Sequence, residues 1–115
     1  MAIPSGSGTE VLKRVTVHGN NNGWNTNVIT VPSNHIYTLL SIVFCEVAAE
    51  SGKIISIRVN DGTNDINLLL NQSVGSYGTF VFSDKFIMTA GDILKVENSS
   101  SNGDWWITYI DQDWT

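Results

Sequence analysis

A few residue groups in this chain have the types and spacing that chemistry uses. Asp111 and Asp113 fall two apart on one predicted strand and so share a face. Paired carboxylates of this kind serve glycoside hydrolysis when one of them is held protonated. Nothing in the neighbouring sequence would raise either pKa, and the expectation is two solvated carboxylates at a frayed strand end. Asn60-Asp61-Gly62-Thr63-Asn64-Asp65 sets two carboxylates around a glycine, as calcium loops do. The twelve-residue EF-hand spacing and its closing glutamate are missing, so a plain turn is expected. His18 and His35 lack zinc-ligand spacing. Cys45 is the single cysteine, which rules out an intrachain disulfide. It lies in an apolar run and reads as a small buried hydrophobe, with no histidine close in sequence to act as its base. There is no glycine-rich phosphate loop and no nucleophile elbow. The sequence therefore predicts no catalytic residue, no metal ligand and no cofactor, and the chain is not read as an enzyme.

Four tryptophans in 115 residues is a high count. Trp24, Trp105, Trp106 and Trp114 would suit a platform on which sugar rings stack, since aromatic faces attract the C–H faces of pyranoses. They would equally suit core and subunit-interface packing, where tryptophan is enriched, and this is the preferred reading.

The elements that must position these residues are all strands. Val11–His18 alternates. Asn20-Asn21-Asn22-Gly23 is a turn cluster, because Asn and Gly accept positive φ. Asn27–Val31 is a short strand that stops at Pro32, which has no N–H for a ladder. Ile36–Val47 is the longest apolar run. Its β-branched and aromatic content argues for a strand, with Tyr37, Leu39, Ser41, Val43 and Cys45 on one face and Thr38, Leu40, Ile42 and Phe44 on the other. Lys53–Asn60 alternates cleanly, then Asp61-Gly62 marks a hairpin turn into Ile66–Asn71. Phe80–Val96 reads as the organising hairpin, turning at Thr89-Ala90-Gly91-Asp92. Asp104–Asp113 closes the set, with Trp105, Ile107 and Tyr109 alternating with Trp106, Thr108 and Ile110. A strand with aromatics on both faces would be covered by the core on one side and by a partner on the other. The expectation is a single-domain antiparallel β-sandwich, all-β and jelly-roll-like, with about eight strands. It would occupy residues 10–115 behind a flexible Gly/Ser-rich arm at 1–9.

Charge narrows the partners. The chain carries a net −5 with only 15% charged residues, and its six basic residues are scattered. No stripe exists to track phosphates, so nucleic acid and anionic membrane surfaces are disfavoured. The opening MAIPSGSGTE has no apolar signal core, which predicts synthesis in the cytoplasm.

Two segments carry a resemblance. Val31-Pro32-Ser33-Asn34-His35-Ile36-Tyr37-Thr38-Leu39-Leu40-Ser41-Ile42-Val43-Phe44-Cys45 and Phe86-Ile87-Met88-Thr89-Ala90-Gly91-Asp92-Ile93-Leu94-Lys95-Val96 are similar to small β-sandwich structural proteins of tailed bacteriophages. In that group a Val-Pro turn opens a strand that ends near a Cys or Asn, and a later hairpin with Ala-Gly-Asp between flanking leucines closes the sheet. The resemblance covers roughly residues 28–111. It departs at Phe44-Cys45-Glu46, where a Cys-Asn pair is frequent, and in the Trp-rich ends. It implies a virion component without catalysis, made in the host bacterial cytoplasm: a capsid cement or decoration protein, or a neck, tail or fibre-tip part, often a homotrimer. Its partners would be the major capsid protein or other virion proteins. A glycan partner is the alternative from another class. The expected contact residues are Ile3 and Pro4 of the arm, with Trp24, Trp105, Trp106 and Trp114.

Overall fold

The computed structural model describes residues 9–18, 23–49, 52–99 and 103–114, with the backbone alone for 23–27. Ile3 and Pro4 lie outside the described residues. The chain is an antiparallel β-sandwich of nine strands: β1 (Thr9–Val17), β2 (Gly23–Thr30), β3 (His35–Glu46), β4 (Lys53–Asn60), β5 (Asp65–Val74), β6 (Thr79–Phe82), β7 (Phe86–Thr89), β8 (Ile93–Asn98) and β9 (Gly103–Asp113). One sheet runs β1-β9-β3-β6, with β7 also paired to β3; the other runs β2-β8-β4-β5.

The pairing is nested. β4 pairs with β5, β3 with β6 and β7, β2 with β8, and β1 with β9. The chain is thus one long hairpin rolled on itself, a jelly-roll-like winding in which β9 also meets β3 and β8 also meets β4. Its tip is the Asp61–Asn64 turn. There the Asp61 carboxylate accepts the backbone N–H groups of Thr63 and Asn64 at 2.9 and 2.7 Å, and Gly62 takes φ 96°.

Three expectations are corrected. Phe80–Val96 is not a hairpin, because β7 pairs with β3 while β8 pairs with β2 and β4, in the opposite sheet. The Thr89–Asp92 turn is real, with Gly91 at φ 90° and Asp92 Oδ2 accepting the Thr89 N–H at 2.8 Å. It carries the chain across the sandwich, and Val31 holds it there by backbone bonds to Asp92 and Gly91 of 3.0 and 2.9 Å. Second, Ser83–Lys85 interrupts the predicted first arm of that hairpin, which gives nine strands. Third, β3 does not alternate throughout. A bulge between Leu39 and Ser41 inserts one residue against β9, so Tyr37, Leu39, Ile42 and Phe44 all face the core. Val43 and Cys45 therefore emerge on the outer side, and Cys45 is partly exposed rather than buried.

The core fills the space between the sheets with Leu39, Ile42, Phe44, Ile55, Ile57, Met88, Leu94, Val96, Trp105 and Ile107, all at most 2% exposed. Burial of such side chains stabilises the fold by about 1.5–3 kcal/mol each. At one end the packing is tight enough to dictate a residue. A β-carbon on Gly103 would fall against the ring of Phe44, so only glycine fits opposite it.

Candidate interaction face

The alternation of β9 sends Trp105, Ile107, Tyr109 and Asp111 inward and Trp106, Thr108 and Ile110 outward. The strand register extends these outward residues into rows. Trp106 lies opposite Thr16 of β1 and Val43 of β3, and Val43 lies opposite Val81 of β6. Two steps along, Ile110 lies opposite Leu12 and Thr38, and Thr38 opposite Ile87 of β7. Between them runs a polar row of Arg14, Thr108 and Ser41. Leu12, Val81, Ile87 and Trp106 are 68%, 52%, 60% and 49% exposed.

Trp106 stands proud of this face between two shallow hollows, each of about 300 Å³. Thr16, His18, Val43, Cys45 and Asp104 line one. Leu12, Lys13, Arg14 and Thr108 line the other. The Arg14 guanidinium sits 4.7 Å from the Trp106 ring centroid, in cation–π range. His18 Nδ1 and Asp104 Oδ1 are 2.7 Å apart.

The opposite sheet has a different outer face. Leu94 and Val96 are buried, which sends Lys95 and Glu97 outward. Lys95 Nζ lies 3.1 Å from Asp65 Oδ1, and Arg58 Nη1 lies 3.7 Å from Asp65 Oδ2. Hydrogen bonds from Asn60 and then Lys95 hold the Asp65 carboxyl below its ordinary range. These contacts occupy the carboxylate that a calcium loop would need, and Asp61 caps its own turn. This sheet thus carries an ion-paired cluster, with Ile66 and Leu70 of β5 also exposed; the first face exposes Leu12, Val81, Ile87 and Trp106 on either side of a polar row.

A second feature lies at the far end of β9. Asp111 is only 3% exposed, which corrects the expectation of a solvated carboxylate. Lys13 Nζ reaches its Oδ2 at 2.8 Å and His35 Nδ1 its Oδ1 at 2.6 Å; His35 Nε2 is 3.6 Å from Asp113 Oδ1. Burial pushes the Asp111 carboxyl up, but the hydrogen bonds from Lys13 and His35 and their charges outweigh it and hold the pKa below the usual value. The same hydrogen bond raises the Lys13 pKa. Tyr37 and Tyr109 pack beside the cluster with ring centroids 4.8 Å apart, and burial raises both phenols. The arrangement ties the edge strand β1 to β9 and β3. Sequence reading missed it because Lys13 and Asp111 are 98 positions apart, and only the strand register brings them together.

The predicted contact residues do not converge. Trp24 lies on β2 opposite Glu97, with its side chain outside the described residues. Trp105 is 2% exposed and packs on Phe44 in the core, so it offers a partner no surface; a contact role for it is corrected to a core role. Trp106 is on the outer face. Trp114 is partly buried, and its backbone N–H donates to the Asn34 carbonyl at 2.9 Å. Trp105 and Trp106 point to opposite sides of one strand and cannot share a stacking platform. Among the described residues no group of three or more His, Cys, Asp or Glu side chains is placed to hold a metal ion, and no helix is long and apolar enough to cross a membrane.

No family model matches the chain, and no curated protein matches it. Solved structures share its fold. The capsid of Helicobacter pylori bacteriophage KHP30 superposes with a TM-score of 0.52 at 12% identity, over 95% of each chain. The Drosophila NLP core, a structure concerned with pentamer formation and histone binding, gives 0.51 at 13% identity over 91% of this chain and 98% of that one. A pentameric capsid protein isolated from metagenomic phage sequences gives 0.48 at 19% identity over 89% of this chain; this chain spans 61% of that protein. The likeness at these identities is one of fold, a β-sandwich of the kind found in viral capsids.

Proposed function

We propose that this chain is a non-enzymatic structural protein of a bacteriophage virion and that it serves as a capsid cement or decoration protein. The observation that carries the reading is the set of large exposed side chains, Leu12, Val81, Ile87 and Trp106, gathered on the outer face of the β1-β9-β3-β6/β7 sheet. Contiguous exposed apolar surface marks an interaction site rather than a face meant for water. The capsid-like fold and the phage resemblance of residues 28–111 support the virion setting. On this reading the sandwich sits across joints between major capsid protein subunits as a homo-oligomer, a trimer in the first instance. Residues 1–9, with Ile3 and Pro4, and the edge strand β1 would add to neighbouring sheets. Trp24, Trp106 and Trp114 would supply further contacts.

Quantitative mass spectrometry of purified virions tests this. A copy number comparable to the major capsid protein is expected. A copy number typical of neck or tail parts would move the protein to those structures, and absence from the particle would overturn the virion reading.

A further inference from the structure

We propose that the outer face of the β1-β9-β3-β6/β7 sheet is where copies of this chain pack on one another, with Trp106 as the main anchor. The proposal names the surface for the self-association suggested above, but it stands on the face itself and holds whether or not the chain belongs to a virion.

Shape is the first argument. Trp106, about half exposed, borders a hollow lined by Thr16, Val43 and Cys45 together with His18 and Asp104, so the face carries both a knob and a recess for one. A surface that presents both can be its own complement, which is what an interface between identical subunits requires. The Arg14 guanidinium lies over the indole. Tryptophan and arginine are both enriched at interface hot spots.

Charge is the second. Copies carrying −5 each repel, and they meet at least cost where carboxylates are few. The middle of this face has Arg14 and neutral side chains. Its acids are partnered: Glu10 accepts from Gln112 at 2.7 Å, and Asp104, which lines the hollow beside Trp106, lies 2.7 Å from His18. Asp61 and Asp65 lie at the hairpin tip, and Glu97 faces outward from the opposite sheet. A basic partner would favour those acidic regions; the nearly neutral apolar face favours a second copy.

Area is the third. Strands about 4.8 Å apart rising about 3.4 Å per residue make a four-strand face of about 19 by 30 Å, roughly 600 Å² per copy. A pair would bury about 1,200 Å², where specific interfaces begin.

The test is sedimentation of the full chain from about 1 to about 100 μM, the range in which such an interface would assemble. The wild type is expected to sediment as an oligomer. Trp106→Glu, which puts a charge in place of the anchor, should weaken assembly at least about thirtyfold. Asn67→Glu, exposed on the opposite sheet, should leave assembly unchanged. Circular dichroism and the thermal midpoint of Trp106→Glu should match the wild type, because the side chain lies outside the core. A wild type that stays monomeric overturns the proposal, as does an oligomer unaffected by Trp106→Glu or one broken by Asn67→Glu. A monomeric chain abundant in virions would sink this inference alone; an oligomer missing from virions would sink the virion reading alone.

Discussion

Trp105 and Trp106 are neighbours in sequence and stand on opposite sides of β9. The first packs against Phe44 at a centroid distance of 4.7 Å and is 2% exposed; the second is 49% exposed beside Arg14. Their contributions to stability should differ accordingly. Trp105→Ala should cost about 3–5 kcal/mol, because it empties core volume that a rigid sandwich cannot refill. Trp106→Ala should change the unfolding free energy of the isolated chain by about 0.5 kcal/mol or less. Urea unfolding followed by circular dichroism decides, and equal losses would contradict the back-to-back placement.

Asp111 makes stability depend on acid. Its folded pKa lies below the ordinary 3.8, so its contribution is complete well above that value and fades as pH falls through the folded value. Asp111→Asn should cost about 2–3 kcal/mol at neutral pH, the scale of hydrogen bonds to charged groups. It should also flatten the loss of stability between about pH 5 and pH 2. A variant that loses stability in acid as steeply as the wild type would remove Asp111 from this role. Lys13 has the opposite sign. Its folded pKa is raised above 10.5, so its contribution is present below that pH and lost as pH rises beyond it.

Gly103→Ala should destabilise by about 1–3 kcal/mol through overpacking against the Phe44 ring. The cost should shrink when Phe44→Leu is introduced with it, since the smaller side chain vacates the space. Additive thermal shifts in the double variant would show that the ring is not what excludes a β-carbon.

Asp92→Ala removes the acceptor for the Thr89 N–H and should cost about 1 kcal/mol. Gly91→Ala, at φ 90°, should cost a similar amount from backbone strain. Differential scanning calorimetry measures both, and an unchanged midpoint in either would contradict the turn geometry.

The strands were legible because alternation and turn chemistry are local. Lys53–Asn60 was read with the bounds it has, and Asp61-Gly62 was read as a hairpin turn and proved to be the tip of the rolled chain. What failed was partner choice. Ala90-Gly91-Asp92 says that the chain reverses, but not whether it returns to the sheet it left. The evenly apolar run of β3 hid the bulge at Leu40, because both faces are apolar and a slip of phase leaves no mark in the sequence. Asp111 looked solvated because its partners Lys13 and His35 come from β1 and the start of β3. The apolar outer face was half visible: aromatics on both sides of Asp104–Asp113 called for two coverings, and the register then joined Trp106 to Val43 and Val81.

The nested pairing also sets an order in time. Among the described residues β1 bonds only to β9, and Thr9 lies opposite Asp113. β1 leaves the ribosome ahead of the other eight strands and must therefore wait for β9, and β2 must wait for β8. Such distant pairings make folding slow and leave strand edges bare during synthesis. In that interval β1 offers an unpaired edge that the β9 of another copy can take before its own arrives, so exchange of β1 between chains is the error this winding invites in a crowded cell.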